Sequence, residues 1–337
     1  MVQLIALGAR PHAEAEAASG RQTRAAAFRA CTTAVAAFVR RSDRRGPLAR
    51  TALACSIMLA AWSAKAGEAV FGLAAPSAAL GRDIPYSLYR PAEAPAPGER
   101  WPVLYLLHGL GDDERVWATL GRAAETLDGL LAARKLKPIL VVMPMAQDSW
   151  YVDNPDPGSR GLFAQALTRD LVDHIDRVYP TAACRAGRAL GGLSMGGYGA
   201  LLYAMDNPRR YAAAFSFSGS LFRPMPDEEA ARAGRPTHMF RAAFGQPFDA
   251  RRFNRWNLFP RLPAYIAEKD RPAFYLTVGD NDFPRLKEGN IAFHRALAEA
   301  GLDTPFRIDP GQHNWTLWAA QLGPALTWLD RHLSPSC

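Results

Sequence analysis

Cysteine is scarce in this sequence, and its scarcity excludes several kinds of site. The chain has 4 cysteines in 337 residues, and only Cys184 and Cys337 follow residue 66. Neither stands in a Cys–His nucleophile pattern, and no group of His, Cys and acidic residues has metal-ligand spacing. We therefore expect no metal and no organic cofactor. The two cysteines either pair in an oxidising compartment or remain two unrelated thiols, and the sequence leaves both readings open.

A charge excess is also missing from most of the chain. The formal net charge is +8, but residues 1–66 hold ten of the 40 Lys and Arg and three of the 32 Asp and Glu. Residues 67–337 are left with 30 basic and 29 acidic residues. This balance gives no electrostatic reason to expect nucleic acid as a partner. No internal repeat or linker divides 67–337, so we expect one domain there.

The N-terminal segment lacks an apolar run long enough to span a bilayer, but it has the order of an export signal. Five arginines between residues 40 and 50 precede the apolar stretch TALACSIMLAAW, and small residues at 64 and 66 suit cleavage after Ala66. We expect 1–66 to be an extension with a cleaved signal peptide. The product is then periplasmic or secreted, without stable membrane insertion. An uncleaved anchor, or a lipoprotein attached at Cys55, is the alternative.

Strand and helix signals alternate from about residue 68 onwards. Two edge strands turning at Gly81-Arg82 come first, followed by WPVLYLLHG and PILVVMP, apolar runs typical of strands buried on both faces. Helical spacing appears in 116–133, in LFAQALTRDLVDHIDRVYP and in 287–300, and the alternation continues to residue 333. The order predicts an α/β fold with a mostly parallel central sheet, helices on both faces and antiparallel N-terminal edge strands. Residues 221–262 lack periodicity and are expected to form an insertion over one end of the sheet.

The stretch ALGGLSMGGYGALL, residues 189–202, places five glycines around one serine. It contains the G-x-S-x-G pattern of Gly192-Leu193-Ser194-Met195-Gly196, after a predicted strand and before a predicted helix. This context is typical of a nucleophile elbow, in which the serine occupies a strained turn and its neighbours must be small. An incidental serine in a glycine-rich connection is the alternative.

An elbow serine needs a base and an acid that orients the base. Of the four histidines downstream, His313 lies in a loop after the last predicted strand, whereas the others fall within helices or the insertion: His238, His294 and His332. We therefore predict His313 as the base. Asp280 and Asp282 both follow the penultimate strand, and Asp282 is favoured because Asp280 suits a turn-capping role.

The oxyanion of such a reaction needs two backbone donors. The N–H of Met195 follows the nucleophile, and the loop LLHGLG after an early strand offers the N–H of Leu110 beside Gly109, which lets the backbone approach a ligand. His108 is expected to support this loop by hydrogen bonding, as a structural residue.

Aromatic residues are the candidates for substrate contact. Trp150, Tyr151 and Trp315, with Gly109, are predicted to line the substrate site. The alternative is that these rings are core, because large aromatic side chains are usually buried for packing.

The chain resembles the esterase D-like branch of the α/β-hydrolases, the "putative esterase" family and in particular its tributyrin-esterase type. The stretches PVLYLLHGLGDDERVW, GLSMGGYGA, VGDNDF and GQHNWTLW carry the resemblance, which extends over roughly residues 69–333. Feruloyl and acetyl-xylan esterases, S-formylglutathione hydrolases and mycolyltransferases are its relatives. The segment PRLK after VGDNDF and residues 221–262 depart from the family's pattern.

The resemblance implies an α/β-hydrolase fold and a triad of Ser194, Asp282 and His313, with oxyanion donors at Leu110 and Met195. It implies hydrolysis of short-chain acyl or carbohydrate-linked esters through an acyl-enzyme, with a small-molecule or glycan-linked ester as the partner. Acyl transfer of the mycolyltransferase type uses the same triad and is the alternative. A non-catalytic surface-binding protein is the third reading.

Overall fold

The structure, a computed structural model, describes residues 66–226, 237–240 and 243–337. The predicted signal peptide, with Cys55 and the arginines before it, lies outside these residues. Lys65–Cys337 cluster as one compact unit by their internal contacts.

Ten strands are defined within the described residues. They are β1 (Glu68–Ala75), β2 (Ile84–Arg90), β3 (Val103–Leu107), β4 (Leu140–Pro144), β5 (Asp153–Asn154), β6 (Gly161–Leu162), β7 (Arg188–Leu193), β8 (Ala213–Phe217), β9 (Ala273–Gly279) and β10 (Phe306–Asp309). Eight form one sheet in the order β1-β2-β4-β3-β7-β8-β9-β10, and β5 pairs with β6 alone. Strand β2 runs antiparallel to both of its neighbours, whereas the pairs from β4 to β10 are parallel. The predicted mostly parallel sheet with antiparallel N-terminal strands is confirmed.

The central strands are apolar throughout because both faces of the sheet are covered. Along β3, Val103, Tyr105 and Leu107 belong to one buried cluster, and Leu104 and Leu106 belong to a second. The period of two residues means that each cluster lies on one face of the sheet. Each central strand of the sheet therefore contributes to two cores.

Nine α-helices cover the sheet in the described part of the chain. They are α1 (Val116–Thr119), α2 (Ala123–Ala132), α3 (Phe163–Gln165), α4 (Leu171–Val178), α5 (Met195–Asp206), α6 (Ala250–Arg255), α7 (Leu262–Ala267), α8 (Pro284–Glu299) and α9 (Trp315–Leu329). A π-helical turn, Ala166–Asp170, joins α3 to α4. Residues of α4 and α5 belong to one buried cluster and residues of α2 and α9 to the other, so helices pack on both faces.

Three local features differ from the sequence prediction. The single helix expected over 116–133 is two helices, because Arg122 adopts a left-handed conformation (φ 49°) between them. The helix expected from residue 287 begins at Pro284, since proline suits the first helical position. The hairpin of β5 and β6 and the short helix α6, which Asp249 caps by accepting from two backbone N–H groups, carried no periodicity long enough to detect.

Cys184 and Cys337 form a disulfide across 153 residues of sequence. It ties the C-terminus to the segment before β7. Backbone hydrogen bonds from Ser334 to Ala186 and from Arg100 to Pro335 hold the same segment in place. Of the two readings left open for these cysteines, the structure therefore shows pairing.

The parallel strands β3, β7, β8, β9 and β10 all present their carboxyl ends at one edge of the sheet. Loops that follow such strands meet at this edge, where open α/β sheets bind ligands. Among the described residues, no helix combines the length and apolar character needed to cross a membrane.

Candidate active site

The three predicted triad residues meet at this carboxyl edge. Ser194 directly follows β7, Asp282 comes three residues after β9, and His313 lies in the loop between β10 and α9. Positions separated by up to 119 residues in the chain are thus brought within hydrogen-bond distance.

The turn at Ser194 is strained, and its glycines are sterically required. Ser194 has φ 52° and ψ −116°, a conformation that L-residues rarely adopt. A Cβ on Gly192 would lie 2.4 Å from the backbone of Gly196, and one on Gly196 would lie 2.3 Å from the carbonyl oxygen of Leu107. The serine is held by its N–H, which donates to Phe217 O (2.9 Å). The glycines therefore allow the tight passage from β7 to α5 that presents the Ser194 hydroxyl.

A chain of hydrogen bonds connects the three side chains. Nδ1 of His313 lies 2.9 Å from Oδ1 of Asp282, and Nε2 lies 3.0 Å from Oγ of Ser194. The carboxylate can only accept, so Nδ1 carries the proton and Nε2 presents its lone pair to the Ser194 hydroxyl. This is the tautomer in which imidazole can act as a general base.

The environment of Asp282 keeps its carboxyl ionised. Burial by itself would raise the pKa of Asp282, but the hydrogen bond from His313, the Ser218 hydroxyl and the N–H of Phe283 outweigh burial and lower it. Oδ1 accepts from the Phe283 N–H at 2.7 Å. Oδ2 is buried and makes no hydrogen bond with the described residues, but the nearby Ser218 hydroxyl helps to stabilise the negative charge of the carboxylate. Ser218 Oγ itself accepts from the indole N–H of Trp318 (3.2 Å).

The other candidate acid and bases have different surroundings. Asp280 is exposed, and its Oδ1 accepts from the N–H of Gly311 (2.8 Å), so it braces the loop that carries the base. His294 on α8 stacks against Phe306 with ring centroids 4.7 Å apart. His332 packs against an aromatic ring of α9. None of these three side chains contacts the Ser194 hydroxyl.

The two predicted oxyanion donors lie beside the nucleophile. Met195 is the first residue of α5, and its N–H therefore has no intrahelical acceptor. Leu110 lines the same cavity as Ser194. A Cβ on Gly109 would lie 2.7 Å from Leu193 and 3.8 Å from the Ser194 Cβ, which shows how closely this loop passes the nucleophile. In the described part of the chain, the N–H groups of Leu110 and Met195 donate to no protein acceptor.

The loop that carries Gly109 is held from behind by His108. Nε2 of His108 accepts from the N–H of Ala146 (2.9 Å), so Nδ1 carries the proton and donates to Gly109 O (2.7 Å). Burial lowers the pKa of His108, which keeps the ring neutral. Tyr151 donates from its hydroxyl to His108 O (2.9 Å). The expected structural role of His108 agrees with this arrangement.

The predicted substrate contacts separate into two groups. Gly109, Trp150 and Trp315 line the cavity above Ser194. Tyr151 does not: its ring is fully buried, where a Cβ on Gly199 would meet it at 2.5 Å. Both Trp150 and Tyr151 have positive φ (55° and 59°), and this turn sends adjacent side chains to opposite sides. The expectation that Tyr151 contacts substrate is therefore corrected, because its hydroxyl already has a backbone partner.

The cavity above the triad has a volume of about 760 Å³. Its walls also include residues that the sequence did not single out, chiefly Asp112, Phe222, Met239, Phe283 and Arg285. Phe283 is 61% exposed, and its ring lies 5.1 Å from that of His313. The sequence signals for two of them were that Phe283 ends the VGDNDF motif and that Arg285 lies in the PRLK segment.

Fold and site together define an α/β-hydrolase in which a histidine lies between a serine and an aspartate, within hydrogen-bond distance of both. The sequence profile described as "Putative esterase" matches residues 77–329. The chain therefore belongs to the "Putative esterase" family, which makes it a carboxylesterase by class.

Individual proteins agree with this membership. The chain is 35% identical over 131 residues to an endo-1,4-beta-xylanase/feruloyl esterase of Xylanibacter ruminicola, covering 37% of this chain and only 18% of that protein. It is 25% identical over 238 residues to an acetyl esterase of Caldicellulosiruptor saccharolyticus, covering 69% and 85%. The solved structure of a ferulic acid esterase shares the fold with a TM-score of 0.64 at 24% identity, covering 80% of this chain and 99% of that one.

Proposed function

We propose that the protein hydrolyses carboxylic esters through an acyl-enzyme formed on Ser194. The observation that carries this proposal is the hydrogen-bonded order of Ser194, His313 and Asp282 at the floor of an open cavity. Of the other described histidines downstream of Ser194, His294 stacks on Phe306 and His332 packs on Trp328, and neither reaches the Ser194 hydroxyl.

In the first half of the reaction, Nε2 of His313 takes the proton from Ser194 Oγ as the oxygen attacks the ester carbonyl carbon. The negative charge that develops on the carbonyl oxygen is stabilised by the N–H groups of Leu110 and Met195. The C–O bond to the alcohol then breaks, and the imidazolium returns its proton to the leaving oxygen. The acyl group remains on Ser194.

In the second half, water takes the place of the alcohol. Its proton goes to His313 as its oxygen attacks the acyl carbon, and collapse of the intermediate releases the acid and restores the Ser194 hydroxyl. Asp282 keeps the imidazole in its tautomer and stabilises the imidazolium in both halves. The residues of the site supply every proton transfer, so the mechanism uses no cofactor.

The substrates that we propose are short-chain acyl or carbohydrate-linked esters. Trp315 offers an aromatic face to an acyl group or a sugar ring, the buried Trp150 closes the wall behind it, and the cavity of about 760 Å³ accommodates such groups. The names of the acetyl esterase and feruloyl esterase relatives agree with substrates of this size. The export signal predicted before residue 67 and the disulfide of Cys184 and Cys337 support a periplasmic or secreted location.

The experiment that tests the proposal is a chain-length series of p-nitrophenyl esters, acetate to decanoate, run beside Ser194→Ala. We expect the shorter esters to give the highest kcat/KM and the substitution to lower kcat by a factor on the order of 10⁴ to 10⁶. Activity that survives in Ser194→Ala would reject the serine mechanism.

Acyl transfer to a second alcohol is the competing function, since it differs only in the nucleophile that resolves the acyl-enzyme. Product analysis with and without added sugar acceptor separates the two. Hydrolysis is favoured because the cavity is open to water beside the triad. A protein that is inert toward all activated esters would instead support the non-catalytic, surface-binding reading.

A further inference from the structure

A second cavity adjoins the catalytic one. It has a volume of about 620 Å³ and shares Phe222, Met239 and Arg285 with the wall of the catalytic cavity. A substrate bound at Ser194 can therefore extend past these three residues into the second cavity. We name this space the arginine cleft after Arg223, Arg285 and Arg295, which line it.

One face of α8 forms a wall of the arginine cleft. Arg285, Glu288 and Arg295 follow one another at helical spacing on this face. The helix is fixed against the start of the 221–262 segment at Gly289, where an added Cβ would lie 2.0 Å from the carbonyl oxygen of Leu221. Arg285 and Arg295 are consequently carried by a rigid helix, so the positions of their backbones relative to the triad are set by the fold.

The charges of the described residues that line the arginine cleft do not balance. Among them, three arginines face one carboxylate, Glu288, and Arg285 and Arg295 form no ion pair with any described residue. Elsewhere in the same region arginines are paired, as Arg252 is with Asp156 and Arg261 with Asp206. Guanidinium groups that line a concave surface without a carboxylate attract anions, and they bind carboxylates through two parallel hydrogen bonds.

We infer that the arginine cleft binds a carboxylate carried by the ester substrate, with Arg285 at the boundary as the main residue that sets this selectivity. The inference rests on the proposed function, because it concerns the part of the ester that lies away from the bond being cleaved. Arg285 belongs to the segment PRLK, where the sequence departs from its family's pattern. The selectivity is therefore a property of this chain's own residues.

Two matched series of esters test the inference. In the acyl series, mono-p-nitrophenyl esters of dicarboxylic acids are compared with p-nitrophenyl alkanoates of equal length. In the alcohol series, acetates of ω-hydroxyalkanoic acids are compared with acetates of the corresponding alkanols. For each pair the measured quantity is the ratio of kcat/KM for the anionic ester to that for the neutral ester, in the wild type, Arg285→Gln, Arg295→Gln and Glu288→Gln.

We expect the wild type to favour the anionic ester at one chain length in one of the series. Arg285→Gln should lower this ratio about tenfold and Arg295→Gln about threefold, because each removes a charge-assisted hydrogen bond at a partly solvated site. Glu288→Gln should raise the ratio, since it removes a negative charge that lies among the arginines of the cleft. The control is Arg209→Gln, an exposed arginine before β8 at the opposite edge of the sheet, which should leave the ratio unchanged.

The inference is overturned if no chain length in either series favours the anionic ester, or if the preference persists in the Arg285→Gln Arg295→Gln double variant. Hydrolysis of the neutral esters and its loss in Ser194→Ala test the proposed function separately. A wild type that cleaves neutral esters but never prefers anionic ones would thus reject the carboxylate cleft and leave the serine mechanism standing.

Discussion

Two parts of the catalytic cavity differ in how the fold forms them. One is its floor, which carries the catalytic residues, and the other is its wall, which surrounds the space above them. On the floor, Ser194 and His313 follow parallel strands and are linked through hydrogen bonds of 2.9 and 3.0 Å. On the wall, Phe222, Met239 and Arg285 come from an irregular segment and a helix face. The sheet edge fixes the chemistry, whereas the connections around it are free to set which ester is bound. Substitutions on the floor should therefore affect all esters, and those on the wall should change the preference among them.

The largest expected effect is on the floor, at His313. His313→Ala should lower kcat for every ester by a factor on the order of 10⁴ or more, because the nucleophile loses its base. His294→Ala is the matched control, since this ring packs on Phe306 away from the nucleophile. Steady-state kinetics on a neutral p-nitrophenyl ester provides the measurement. Equal losses in the two variants would contradict the role of His313 as the base on the floor of the cavity.

A smaller effect is expected at Ser218, which supports the floor without touching the nucleophile. Ser218→Ala removes the hydroxyl that helps to lower the pKa of Asp282 and leaves the indole N–H of Trp318 without its acceptor. We expect kcat to fall about tenfold, consistent with the loss of one hydrogen bond to a charged group. Steady-state kinetics on a neutral p-nitrophenyl ester measures the fall, and an unchanged kcat would contradict this role of Ser218.

The pH dependence of stability distinguishes this positioning role from simple packing. The pKa of Asp282 is lowered in the folded state, so its stabilising contribution is present above the unfolded-state pKa and is lost as pH falls through the folded-state pKa. The stability difference between wild type and Ser218→Ala should therefore be greatest near neutral pH and smaller in acid. Denaturant titrations at several pH values measure it. A difference that stays constant with pH would assign Ser218 to packing alone.

What the sequence predicted follows the same division between floor and wall. The apolar runs of β3 and β7 and the G-x-S-x-G pattern around Ser194 are local signals, and the structure places them as expected. Because loops that follow parallel strands meet at one edge of the sheet, the predicted order of strands also places His313 near Ser194. The sequence could not show that Tyr151 points inward while Trp150 lines the cavity, because a turn with two positive φ values has no side-chain period.

Ser218 and Arg285 were missed for a related reason. Ser218 follows β8 at the site edge, but a serine in FSFSG resembles any strand-end serine until its contact with Asp282 is known. Arg285 stood out as a departure from the family pattern, yet its partner cavity forms only when α8 packs against Leu221. Contacts between distant segments that lack a repeated pattern are visible only in the folded structure.

The smallest expected effect concerns Asp112, which lies on the wall but belongs to the loop after β3. Burial raises the pKa of Asp112 and outweighs the hydrogen bond with the Gly109 backbone, which lowers it, while the nearby charges of Asp113 and Asp148 add to the rise. A carboxyl with a raised folded-state pKa destabilises the protein at neutral pH, and this penalty disappears as pH falls through that pKa. Asp112→Asn should therefore raise Tm slightly at pH 7, by about 1 °C after allowance for solvent screening, with a smaller gain at pH 4.

The same substitution sharpens the comparison between floor and wall. Asp112 places a negative charge in the cavity that Arg285 borders, so Asp112→Asn should raise the ratio of anionic to neutral ester hydrolysis while the triad remains intact. The two readouts are independent, because one follows folding and the other follows selectivity. A fall in kcat for anionic and neutral esters alike would show that Asp112 supports catalysis and does not set selectivity. The loop that carries Gly109 would then belong to the floor of the cavity.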